Sequence, residues 1–250
     1  MLLAIDAGNS NVKMAVFSGS ELLANWRLTT DTALTSDDYG TEIRQRFAFK
    51  NLEAIVVASV IPALNPTLTR MAEDYFQLSP LFVDHTTRIG LEILYDSPSD
   101  LGADRIVDAV AAVAKYGAPC IVIDFGTATT FNAINEKGEF LGGAIAPGLG
   151  TCSEALFSRT AKLPRVDFKR PEKVIGSSTI TAIQSGLYHG YASLVDGMLG
   201  RMMLEMGGTP RVIATGGLAH AIAPASEYIS AVDDTLTLEG LRLVYDRIKA

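Results

Sequence analysis

One stretch of this chain occurs twice. A single constant offset lays Leu3-Ala4-Ile5-Asp6-Ala7-Gly8-Asn9-Ser10-Asn11 over Ile121-Val122-Ile123-Asp124-Phe125-Gly126-Thr127-Ala128-Thr129. Without a gap it then pairs Ala15 with Ala133, Glu21 with Glu139 and Leu23 with Leu141. Each copy is an apolar run that ends in Asp, a turn of the form Asp-x-Gly-polar, and a return run. Such apolar and alternating runs are strand patterns, and the glycine with its small polar neighbours is turn chemistry. The offset is too long for a solenoid repeat. It predicts two related half-molecules, each presenting one polar turn to a shared cleft.

A chain of 250 residues is long enough for two lobes of ordinary size. The expected division is 1–117 and 118–250. With 48% hydrophobic and 20% charged residues, a sizeable core is expected. The net charge of −7, without a Lys/Arg cluster, argues against a nucleic-acid surface. A nucleotide would therefore be held by backbone N–H groups and a metal ion. Cys120 and Cys152 are isolated and expected to be reduced. His85, His189 and His220 show no zinc-binding spacing. The N-terminus has no basic region and carries Asp6 inside its apolar stretch, so no signal peptide is read. No apolar run reaches the roughly 18 residues of a membrane span. These features predict a cytoplasmic protein.

Along the chain, the first hairpin is followed by a strand over Glu21 to Leu28 and a helix over Asp37 to Phe47. Ala54 to Val60 is a β-branched run expected to be buried on both faces. Asn65-Pro66 is read as an N-cap followed by proline at the first helical position, and Leu81 to Val83 is a short strand. Ser97 to Asp100 is a turn. Ile106, Val110 and Val113 then recur at helical spacing up to Gly117, which places Asp104 and Arg105 at a helix start, where an anion is favoured. In the second half, Ala146 to Gly150 is read as a turn into a segment Ser153 to Arg159. From Thr179, the residues Ile180, Ile183, Leu187, Tyr191, Leu194 and Met198 predict a long helix or a broken pair. Arg211 to Thr215 is a strand, Gly216-Gly217 a turn, and Leu236 to Ile248 a closing helix.

Two Asp-x-Gly-polar turns, a late Gly-Gly turn and an Asp-Arg pair between the halves suit phosphoryl transfer. That reaction needs phosphates held in line, their charge neutralised, and a carboxylate to take the proton of the attacking hydroxyl. There is no GxxxxGK[ST] loop and no GxGxxG after a strand, which disfavours P-loop and Rossmann nucleotide sites.

The series DAGNSNVK (Asp6 to Lys13), GADR (Gly102 to Arg105), IDFGTATT (Ile123 to Thr130), APGL (Ala146 to Leu149) and TGG (Thr215 to Gly217) resembles the motif series of type III pantothenate kinases. The segments TAKLP (Thr160 to Pro164) and IGSSTITAIQSGLYHGY (Ile175 to Tyr191) are also similar to that family. The family belongs to the superfamily of acetate kinase, sugar kinases, Hsp70 and actin. The resemblance implies an α/β fold of two ribonuclease H-like (actin-like ATPase) lobes with a cleft between them, and phosphorylation of pantothenate by ATP.

Carried over by position, the resemblance implies that Asp6, Ala7, Gly8, Asn9, Ser10, Asn11, Val12 and Lys13 hold ATP phosphates. Asp6 would lie near Mg²⁺, and Thr127 would hold phosphate from the second turn. Asp124 would bind a monovalent cation, potassium or ammonium. Tyr95, Gly102, Ala103, Asp104, Arg105 and Thr179 would contact pantothenate, with Asp104 as the base; guanidinium geometry, which matches a carboxylate, suits Arg105 to the substrate carboxylate. Gly216-Gly217 would lie against the adenine nucleoside. A homodimer is implied as well. Two positions depart from the family pattern: Asn132 stands where Asp is usual, and Ser97 where Asn is common.

Overall fold

In a computed structural model, which describes residues 1–249, the chain forms two compact units. One comprises Met1–Ala114 and the segment from Thr235 onward; the other is Lys115–Asp234. The first contains β1 (Leu2–Ala7), β2 (Asn11–Ser18), β3 (Glu21–Thr29), α1 (Ser36–Arg46), β4 (Ala54–Ser59), α2 (Asn65–Phe76), β5 (Leu81–Phe82) and most of α3 (Ala103–Tyr116). Its sheet runs β3-β2-β1-β4-β5. β1 to β3 form an antiparallel meander, and β4 and β5 lie parallel to β1.

β1 is the middle strand, and all six of its residues are buried. One face of the sheet, with Leu3, Ile5, Val12, Met14 and Val16, joins a core with Tyr39 and Ile43 of α1 and Leu68 and Met71 of α2. Each such aliphatic side chain contributes roughly 1.5–3 kcal/mol over the exposed state. The turn after β1 is therefore mounted on the most constrained strand of the unit.

The second unit contains β6 (Cys120–Phe125), β7 (Ala128–Ile134), β8 (Phe140–Pro147), α4 (Leu149–Ser158), α5 (Thr179–Ser185), α6 (Tyr191–Met206), β9 (Arg211–Thr215), α7 (Ala219–Ile222) and β10 (Ala231–Val232). Its sheet runs β10-β9-β6-β7-β8. β6, β7 and β8 are antiparallel neighbours, and β9 is parallel to β6. The meander and the parallel strands of the first sheet thus recur in the same spatial order. The chain has the α/β class and the two related halves that the echo predicts.

The structure differs from the sequence expectation in three places. The final helix α8 (Leu236–Lys249) belongs to the first unit, not to the second half of the chain. Its Gly240 packs on the Val107 backbone of α3, and Arg242 lies 5.8 Å from the Phe17 ring of β2. Asn65 is no N-cap: a 3-10 turn, Pro62–Leu64, leads directly into α2, so Asn65 is already helical and Leu64 is the cap residue. α4 begins at Leu149 rather than Ser153, because β8 continues to Pro147 and Gly148 alone turns the chain, at φ −65° and ψ 157°. Of the two expectations for the stretch from Thr179, the broken pair is the one found: a π turn, Gly186–Gly190, separates α5 from α6. Leu187, Tyr191, Val195 and Leu199 are buried, while Ile180 and Leu194 of the predicted stripe are exposed.

Candidate phosphate-binding site

In the first unit, β1 delivers Asp6 at its C-terminal end, where only 6% of the residue is exposed. Lys13 is its partner in the β1–β2 register, and the strand pairing brings Lys13 Nζ to 3.4 Å from Asp6 Oδ2. Between them, Gly8 N–H donates to the Asn11 carbonyl at 3.0 Å, which closes the turn and leaves Asn9 and Ser10 exposed. Ala7 and Val12 are fully buried. Neither offers a side chain to a phosphate.

Thr30, just beyond β3, braces this turn. Its hydroxyl donates to the Gly8 carbonyl at 2.5 Å, and its N–H donates to the Ser10 carbonyl at 3.1 Å. No sequence signal marked it, since its work is done on backbone atoms at a distance in the chain.

The segment around α3 lies in the same unit. A 3-10 turn, Pro98–Asp100, precedes α3, and Asp104 sits in the first helical turn. Asp104 Oδ1 accepts the Arg105 N–H at 2.8 Å. Burial pushes the Asp104 carboxyl above the ordinary carboxylate range; the Arg105 N–H bond and the charges of Arg105 and Lys13 offset part of that rise. A Cβ added to Gly102 would lie 2.5 Å from Asp104 Oδ1, so the missing side chain gives that carboxylate its room. Arg105 is buried, 6% exposed, with its guanidinium carbon 5.7 Å from the centre of the Tyr95 ring. The structure thus links Asp6 to Lys13, places Asp104 within Lys13's electrostatic reach, and sets Arg105 over Tyr95.

In the second unit, the equivalent turn is one residue tighter. Gly126 N–H donates to the Ala128 carbonyl at 3.1 Å, and the residue opposite Asp124 in the ladder is Thr130. The gapless echo sets Lys13 against Phe131, but the register makes Thr130 its counterpart. Thr127 is exposed at the turn, and its carbonyl accepts from Gly148 N–H at 3.0 Å and from the Thr151 hydroxyl at 2.8 Å. A side chain on Gly148 would run into the Gly126 and Thr127 carbonyls. Gly216, at φ +92°, packs against the Asp124 carboxylate, where any Cβ would collide. Thr179 opens α5 and is exposed, with Ser178 capping the helix. Asn132 is fully buried in the middle of β7, between Val122 of β6 and Gly143 of β8.

Cys120 and Cys152 form no disulfide, and burial pushes the Cys120 thiol up to about 12, which makes it unreactive. Among the described residues no helix is long and apolar enough to cross a membrane.

Two topologically matched halves, each with a central strand ending in Asp before a glycine turn, define a two-lobed α/β protein of the actin-like ATPase and sugar-kinase class. The fold is shared with a polyphosphate/ATP-glucomannokinase from Arthrobacter sp. (TM-score 0.52, 14% identity, 99% of this chain and 98% of that one). It is also shared with the (R)-2-hydroxyglutaryl-CoA dehydratase component A from Acidaminococcus fermentans (TM-score 0.60, 14% identity, 99% and 98%). Within that class the chain belongs to the type III pantothenate kinase family, whose sequence profile matches residues 2–201. A type III pantothenate kinase from Koribacter versatilis (strain Ellin345) is 50% identical over 262 aligned positions, which take in 99% of this chain and 96% of that relative.

Proposed function

We propose that this chain transfers the γ-phosphoryl group of ATP to the hydroxyl of pantothenate, the first step of coenzyme A synthesis. The observation that carries the reading is the arrangement around Lys13. That ammonium pairs with Asp6 at the end of the phosphate turn and also acts on the Asp104 carboxylate at the start of α3. A phosphate-holding turn and a candidate base therefore share one unit and one cation.

In this reading the Asp6 to Lys13 turn holds ATP phosphates through its N–H groups and the Lys13 ammonium, and Thr127 adds a contact from the second turn. Asp104 orients the pantothenate hydroxyl. As its oxygen bonds to the γ-phosphorus and the bond to the bridging oxygen breaks to release ADP, the proton passes to Asp104. The transition state is loose, so the proton leaves late and a carboxylate suffices as base. A carboxyl raised by burial is better matched to that task than an ordinary one. Arg105 would hold the substrate carboxylate with its planar guanidinium, and Tyr95, Gly102 and Ala103 would line the same substrate.

Magnesium suits the residues present. Asp6 offers one buried carboxylate, and among the described residues no group of three or more His, Cys, Asp or Glu gathers as a metal cage. Mg²⁺ commonly takes one or two carboxylates and completes its shell with water and phosphate oxygens. When bound, it neutralises charge on the phosphates. A potassium or ammonium ion would rest on Asp124, whose carboxylate lies beside Gly126 and Gly216.

The fold alone accommodates other acceptors. A coupled ATP assay offering pantothenate, acetate, sugars and polyphosphate separately, in potassium, ammonium or sodium salts, tests the reading. Turnover with pantothenate that rises with potassium or ammonium is expected. Turnover only with another acceptor refutes the substrate, and equal rates in all three salts refute the role of Asp124.

A homodimer is part of the proposal. The second unit leaves Ile145 63%, Val174 65%, Ile175 87% and Leu204 84% exposed. Ile145 also stands on β8, an edge strand whose open hydrogen-bonding side invites a partner. Light scattering should give twice the chain mass of 26.7 kDa; a single chain mass would count against the dimer.

A further inference from the structure

The Tyr191 hydroxyl is buried and holds two strands together beside the second phosphate turn. It lies 2.5 Å from the Thr129 hydroxyl and donates to the Pro147 carbonyl at 3.0 Å. A carbonyl only accepts, so the single Tyr191 proton goes to Pro147, and the Thr129 hydroxyl must donate to Tyr191. The order of donation is thus fixed as Thr129, Tyr191, Pro147. Thr129 is fully buried and Tyr191 is 5% exposed. Burial also raises the phenol's pKa, which keeps its proton in place as a donor.

The position of this bridge matters. In the β7–β8 ladder Thr129 faces Ala146 and Ala128 faces Pro147, so Tyr191 ties the last rungs before the strands part. The next residues outward are Thr127 and Gly148, themselves joined by the Gly148 N–H to Thr127 carbonyl bond. Tyr191 is delivered there by the π turn Gly186–Gly190 immediately before it. One extra residue in a helical turn rotates every later side chain by about 100°, and such turns gather at functional sites. Phe125, the residue before Gly126, packs on the same ring at 6.5 Å between centres.

We propose that Tyr191 is a positioning residue for nucleotide binding: through Thr129 and Pro147 it sets the place of the Gly126-Thr127 turn that receives ATP phosphate. The inference rests on the kinase reading above. Nothing in the sequence motifs singled out the hydroxyl, because Tyr191 fits the apolar stripe of its helix.

The test is initial-rate kinetics of Tyr191→Phe and Thr129→Val, with ATP and pantothenate varied in turn, alongside ATP affinity from calorimetry. Tyr191→Phe keeps the ring and removes the bridge. The KM and Kd for ATP are expected to rise about five- to tenfold, the worth of one hydrogen bond in a buried network. The KM for pantothenate should stay within about twofold, and the double variant should be no worse than the poorer single one, since both cut one chain of bonds. Thr129→Ser, which keeps the donor, should restore ATP affinity to near the parent value. Unchanged ATP affinity, or equal weakening toward both substrates, overturns the proposal. Should Tyr191→Phe fail to fold, the Thr129→Val and Thr129→Ser pair decides it alone. If the parent protein binds ATP but does not phosphorylate pantothenate, the kinase reading fails, and the calorimetry still judges Tyr191.

Discussion

Asp104 is subject to opposite demands. As a base it gains from burial, and as a buried carboxylate it weakens the native state at neutral pH. An unfolded Asp titrates near 3.9, and the folded Asp104 titrates above the ordinary value, chiefly because it is buried. Below the unfolded pKa the group is protonated in both states and costs nothing. As pH rises through the folded pKa, the native state must hold a desolvated charge, and stability is lost. Asp104→Asn is therefore expected to melt close to the parent below about pH 4 and a few degrees above it at pH 7–8. Melting curves across that range read this, and a gap that stays constant or narrows as pH rises would contradict it. At this scale, Asp6, Lys13 and Asp104 were legible because each lies in a motif whose residue types name their chemistry. Thr30 and Thr151 were not, because they act by donating to carbonyls, a task any hydroxyl in the right place performs.

Strands and turns were read closely where hydrophobic pattern governs them. β3, β4, β5 and β9 fall within a residue of the expected ranges, because buried runs and alternation leave few choices. What the pattern concealed was register. The echo runs without a gap through both turns, yet the Gly8 turn closes over three residues onward and the Gly126 turn over two. Lys13 and Thr130, not Lys13 and Phe131, therefore occupy the position opposite the strand-ending aspartate. A one-residue slip leaves composition unchanged and flips which face each side chain takes. The place of the π turn before Tyr191 was hidden for a related reason: a stripe at three- and four-residue steps tolerates one inserted residue without losing its appearance, though beyond the turn the buried face lies on Val195 and Leu199 rather than Leu194.

For the whole molecule, the duplication was legible and the closing of the first unit was not. Both sheets share one strand order, as the repeat implied. The C-terminal helix returns to the first unit, where Leu236, Leu238, Leu241 and Val244 are buried, and an amphipathic stripe says nothing about which sheet will cover it. The sequence distance between motifs was likewise no guide to function: Asp6, Lys13 and Asp104 come together because β1, β2 and α3 fold into one unit. The central claim is that this grouping performs phosphoryl transfer, with Asp104 taking the hydroxyl proton. The most direct measurement is steady-state turnover of Asp104→Asn with ATP and pantothenate, run beside its ATP affinity. Nucleotide affinity close to the parent with turnover down by about 100-fold or more is the predicted result, in the range for removal of a general base; near-normal turnover with intact ATP binding would contradict it.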